Sequence, residues 1–202
     1  MPQNNFFEPE LYLIQKWRQA RDIEDCISEI NDKCFGVLLE VVSTFKKRHP
    51  KYDFGEVYHP GRVNWSTGDI AVGKSSWRMK GEWPISFWLE NLGLDHLSAD
   101  DKEAPLAAIW LKPIKKEHAS LLPKLKRRIE EAAKQKKGMK FQWDDSDWSL
   151  WFDLPEGRQD LRNKLLSGSS KEFIECLLLH LETLASFADV IDGVVSAAKV
   201  RR

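Results

Sequence analysis

Cysteine is scarce in this chain, with three in 202 residues: Cys26, Cys34 and Cys176. So sparse and odd a count excludes a disulfide framework and fits a reducing compartment. All three fall within apolar helical patterns, where they are expected to serve as small buried hydrophobes. Net charge is lacking too. The 31 Lys and Arg balance 31 Asp and Glu, which argues against a protein that coats nucleic acid non-specifically. No apolar run reaches the roughly 18 residues of a membrane span. The opening MPQNNFFEPE has neither the basic start nor the apolar stretch of a signal peptide. These absences predict a cytoplasmic chain with no membrane contact. A compact fold of this length buries roughly 70% of its unfolded surface, so stability requires no metal or disulfide staple, and a single domain over residues 1–202 is expected.

Catalytic signatures are equally thin. Histidines 49, 59, 96, 118 and 180 show no H-x-x-x-H or H-E-x-x-H spacing, so zinc is not expected. No G-x-S-x-G elbow occurs. One string does match a phosphate-binding loop letter for letter: Gly68-Asp69-Ile70-Ala71-Val72-Gly73-Lys74-Ser75. That chemistry needs a buried strand before the first glycine and a helix starting at the lysine, so that backbone amides meet the phosphates. Here the lysine is followed by Ser75-Ser76-Trp77-Arg78-Met79-Lys80-Gly81 and then Pro84, too little room for three helical turns. The segment reads instead as two strands with Gly73 at the bend, placing Lys74, Arg78 and Lys80 along one face of a basic hairpin. No catalytic residue, metal or cofactor is expected, and an enzyme is the less favoured reading.

What is present is periodicity. Residues 9–20 read as a short helix with Pro9 in its first turn. A longer one carries Ile23, Cys26, Ile27, Ile30, Cys34, Leu38, Val41, Val42 and Phe45 at three- and four-residue steps, with Asp22 as its cap and Pro50 as its stop. Strands are expected at 68–73, 75–80, 84–90, 106–112, 139–143 and 147–154. In the third, Ile85, Phe87 and Leu89 alternate with Ser86, Trp88 and Glu90, the pattern of a sheet packed on one face. A basic helix spans 118–137 with Gly138 beyond its end, and a closing helix spans 170–198. The predicted class is α+β: a mainly antiparallel sheet of five or six strands, packed by long N- and C-terminal helices and one basic middle helix.

Charge is unevenly distributed. Lys112 to Lys140 contains eleven Lys or Arg against three Glu, and the next twenty residues carry six acids and one Arg. A basic helix beside an acidic hairpin can form an intramolecular pair, a self-complementary homodimer contact, or a patch for nucleic acid or a charged protein, or it can be a solvated face. Its candidate binding residues are Lys124, Arg127, Arg128 and Lys134, alongside Lys74, Arg78 and Lys80 of the hairpin. The acidic stretch Asp144, Asp145, Asp147 with Asp153 offers an alternative: oxygen ligands for Mg²⁺ in a phosphodiester-cleaving enzyme. The other reading is a charged turn. Nine tryptophans cannot all point inward from a sheet, because Trp148 and Trp151 fall on opposite faces by parity.

Several strings resemble a known family. Gly73-Lys74-Ser75-Ser76-Trp77 fits its G-[RK]-S-x-aromatic string, Lys126-Arg127-Arg128-Ile129-Glu130 its K-x-x-I-E helix core, and Phe141-Gln142-Trp143 its tryptophan-bearing strand. Over about residues 36–192 the chain resembles a small α+β domain of unknown function, found at the C-terminus of predicted PD-(D/E)XK restriction-type nucleases and also encoded alone in bacteria and phages. The resemblance implies that the glycine string opens a β-hairpin, and it brings no catalytic residues. The expectation is a non-catalytic binding or regulatory protein acting through protein or nucleic-acid contacts, in phage defence or counter-defence, with a structural homodimer as a further alternative.

Overall fold

The computed structural model describes residues 8–58, 68–78, 85–100, 103–111, 121–136, 140–145, 149–167 and 170–200. Helix α1 runs unbroken over Glu8–Arg48, where two helices were expected. Nothing between residues 20 and 23 is a Gly or a Pro, so Asp22 is an interior residue rather than a cap. The basic triplet Lys46, Lys47 and Arg48 fills the last turn, where cations complement the helix dipole. The apolar stripe is buried only in its C-terminal half: Cys34, Leu38, Val41, Val42 and Phe45 are in the core, whereas Tyr12, Ile14, Trp17, Ile23 and Ile30 are exposed.

Strand β1 (Phe54–Tyr58) has no counterpart in the expected elements. Strands β2 (Asp69–Gly73), β3 (Ile85–Glu90) and β4 (Leu106–Leu111) follow, with the short helix α2 (Leu94–Ser98) between the last two. The basic helix is α3 (Leu122–Lys134), shorter than expected, with Pro123 in its first turn. Then come β5 (Gln142–Asp144), β6 (Ser149–Asp153), α4 (Gly157–Leu166), α5 (Lys171–Ala185) and α6 (Ala188–Val200). The expected single closing helix is divided at Ser186–Phe187. There Phe187 turns into the core and is fully buried, and α6 folds back to pack on α3.

All pairings are antiparallel, in the order β1-β2-β3-β4-β6-β5. Helices α1 and α5 pack against the sheet over Ile70, Val72, Ile85, Phe87, Leu89, Ile109 and Leu150, all buried. At the crossing of α1 over β1, a Cβ on Gly55 would lie 2.6 Å from Val42 Cγ1, so glycine sets the depth at which the helix sits. The opposite face carries the other parity. Trp88, Ala108 and Trp151 lie in one cross-strand row, and Tyr58 stacks on Trp88 at 4.9 Å.

The segment that mimics a phosphate loop is a strand followed by a turn. Gly68 has φ +51°, and a Cβ there would lie 2.8 Å from the Gly93 backbone nitrogen. Its glycine thus answers a left-handed backbone and a close chain approach. Ser75–Trp77 form a single 3-10 turn, not the start of the expected strand 75–80. Residues 79–84 lie outside the described residues. Gly73 therefore ends β2 at the start of the β2–β3 connection, and its neighbours do not form the alternating hairpin face.

Candidate functional site

Each predicted basic residue has a different fate. Lys74 is not a surface cation: its side chain is 8% exposed and its Nζ lies 2.7 Å from Asp192 Oδ2 on α6. The same carboxylate accepts a bond from Trp77 Nε1 at 2.6 Å, and Nζ sits 5.2 Å from the Tyr52 and Trp77 ring centres. A buried ammonium needs such compensation, because desolvation alone would oppose its charge. This explains the glycine–lysine–serine string: it fastens the β2–β3 connection to α6. Arg78, just past the turn, is exposed, and Lys80 lies outside the described residues.

The basic helix behaves differently. Ala133, Ile129, Leu125 and Leu122 form its buried stripe, which leaves Lys124, Arg127, Arg128 and Lys134 exposed. Lys124, Arg127 and Arg128 come together on the rim of a 530 Å³ cleft between α3 and α6. The floor of that cleft is apolar, with Leu121 before α3 and the half-buried Val190 and Val194 of α6, and the exposed Ala197 stands at its margin. Asp189 is the acid on its wall. Arg127 and Arg128 both approach Glu131, at 3.8 and 3.7 Å, as exposed pairs that screen little of their charge. Lys134 stands on a neighbouring cleft of 510 Å³ with Lys140, Phe141 and Trp143. Helix α6 thus takes Lys74 through Asp192 and lines the cleft with adjacent residues, so Lys74 does not join the cations of α3 on the surface.

Among the described residues the acidic stretch divides between two places. Asp145 is bound by Lys126 and by Trp143 Nε1, the latter at 2.7 Å. These bonds, Lys126 first, hold its carboxyl below the usual range. Lys126 also lies 4.7 Å above the Trp143 ring. Part of the expected basic-to-acidic complementarity is therefore satisfied within the chain. Asp144 and Asp153 line a separate 350 Å³ hollow with Glu90, Glu103, Trp110 and Trp151. Asp147 lies outside the described residues.

The converging ligand set among the described residues is Glu156, Cys176 and His180, whose donor atoms all lie within 4.8 Å of one another. Cys176 and His180 are one turn apart on α5, and Glu156 reaches them from the residue before α4. His180 is 2% exposed. Its Nε2 lies 2.9 Å from Glu156 Oε2 and 3.8 Å from Cys176 Sγ, while its Nδ1 is buried without a partner among the described residues. Burial, then the charge of Glu156, pushes the Cys176 thiol up to about 12. Burial alone would raise the Glu156 carboxyl as well, but its backbone bond and the imidazole outweigh this and leave it below its ordinary value. A search for paired histidines passes over this site; a cysteine four residues before a histidine on an apolar helix was the available signal. The expectation of three buried cysteines also fails at Cys26, which is exposed, whereas Cys34 is buried.

Comparison of the chain with family models, curated proteins and solved structures gives no match.

Proposed function

We propose that this is a non-catalytic protein-binding module whose α3–α6 cleft seats an acidic, amphipathic segment of a partner protein. The observation that carries the reading is the cleft itself: three cations on the rim of an apolar floor. A phosphodiester backbone would use the cations but leave the floor of Leu121, Val190 and Val194 without a complement. A helix with acids on one side and aliphatic residues at three- and four-residue steps satisfies both. The resembled domain accompanies nucleases, which makes such an enzyme, or its antagonist, a candidate partner.

Fluorescence anisotropy tests the reading with a labelled Glu- and Leu-containing amphipathic peptide, its Lys-for-Glu counterpart, and a short DNA duplex. The acidic peptide should bind, more weakly as salt rises, and K124E/R127E/R128E should weaken it at least about tenfold, equal to about 1.4 kcal/mol. Unchanged binding by the variant sinks the proposal. Duplex binding abolished by the same reversal would overturn it in favour of nucleic acid.

A homodimer is the second reading, favoured by the exposed Tyr12, Ile23 and Ile30 on one face of α1. An apolar helical stripe of this kind is a common self-association surface. Light scattering at several concentrations should then show a dimer that I23E/I30E dissociates; a monomer at every concentration rejects it.

A further inference from the structure

Glu156, Cys176 and His180 invite comparison with a nucleophile–base–acid relay, and the geometry rules that out. A relay uses the two ring nitrogens of histidine for different partners. Here thiol and carboxylate both address Nε2, and Nδ1 faces neither. Three donors disposed around a common point, not in a line, is the arrangement of a coordination sphere.

We propose that Glu156, Cys176 and His180 form a binding site for a zinc-class divalent cation, with the fourth position left to water or an incoming ligand. Bond lengths of about 2.3 Å to sulfur and about 2.0–2.2 Å to nitrogen and oxygen imply tetrahedral edges of about 3.4–3.6 Å. The observed Sγ–Nε2 separation of 3.8 Å and Oε2–Nε2 separation of 2.9 Å lie within about half an ångström of those edges. One nitrogen, one sulfur and one oxygen donor favour zinc or cobalt over magnesium, which demands oxygen ligands in octahedral geometry. Binding would displace the thiol proton. Glu156 and Cys176 are only half-buried, which gives the ion an entrance. An ion there would clamp the β6–α4 junction to α5.

Cobalt(II) titration of the full chain reads the site directly, because thiolate ligation gives a near-ultraviolet charge-transfer absorption. The absorption should saturate at one equivalent in the parent chain and in Cys26→Ser, which removes the exposed thiol, and fall to background in Cys176→Ser. Zinc should raise the melting temperature of the parent and not of Cys176→Ser. Glu156→Gln provides a second variant that keeps thiol and imidazole. It should weaken cobalt binding by at least the roughly 10–100-fold that even outer-shell partners carry. No absorption in the parent, an absorption that survives in Cys176→Ser, or one lost with Cys26→Ser overturns the proposal.

Discussion

Asp192 holds two donors at once, the Lys74 ammonium and the Trp77 indole. Asp192→Asn keeps an oxygen for Trp77 but strands the buried cation. The expected loss is about 2 kcal/mol, below the roughly 3–5 kcal/mol of a fully buried pair because Asp192 is more than a third exposed. Lys74→Met preserves the stem and removes the charge, so it should cost less. Urea unfolding midpoints compare the two; a larger loss for Lys74→Met contradicts this account. Tyr58 gives a pH-dependent prediction. Partial desolvation against the sheet, although 41% of its surface stays exposed, with a hydrogen bond to Glu56 pushes its phenol up to about 12 from about 10 in the unfolded chain. The folded state therefore keeps a proton that the unfolded state releases. Its contribution is complete below about pH 10 and is lost as pH rises towards about 12. Wild type should lose stability relative to Tyr58→Phe across that window; parallel pH profiles would reject the shift. At this scale the sequence misleads about Lys74. Its identity as a cation is plain, but its burial depends on Asp192, 118 residues away, and no local pattern encodes that.

Helices and strands were more legible than their junctions. The alternation in β3 and β6 and the stripes of α3 and α5 are local, so residue order alone reveals them. Strand β1 is not legible in the sequence because Gly55 and Glu56 weaken a five-residue pattern, while its pairing with β2 is what makes it a strand. The closing helix reads as one in the sequence because neither Gly nor Pro marks residues 186 and 187, whereas the break accompanies the burial of Phe187. Gly55 tests how firmly α1 is seated. Gly55→Ala would place a methyl 2.6 Å from Val42 Cγ1, and overpacking of this kind costs about 1–3 kcal/mol. Gly55→Ala paired with Val42→Ala should recover part of the loss in thermal unfolding. Absence of any recovery would show that the two residues do not limit the crossing.

For the molecule as a whole, the core lies to one side of α1's midpoint. Side chains 14–26 of α1 are exposed, and burial begins in earnest at Cys34. Removing residues 1–30 should therefore change the melting temperature by no more than about 2–4 °C, equivalent to about 1 kcal/mol for a protein of this size. A larger drop would mean that the N-terminal half of α1 stabilises the body. The same segment fixes a length scale. Residues 8–33 at 1.5 Å per residue extend about 39 Å, close to the width of a globule built from the remaining residues. A rod as long as its body is wide dominates friction in solution. The chain should sediment more slowly, and tumble more anisotropically, than its 23.4 kDa would suggest for a sphere.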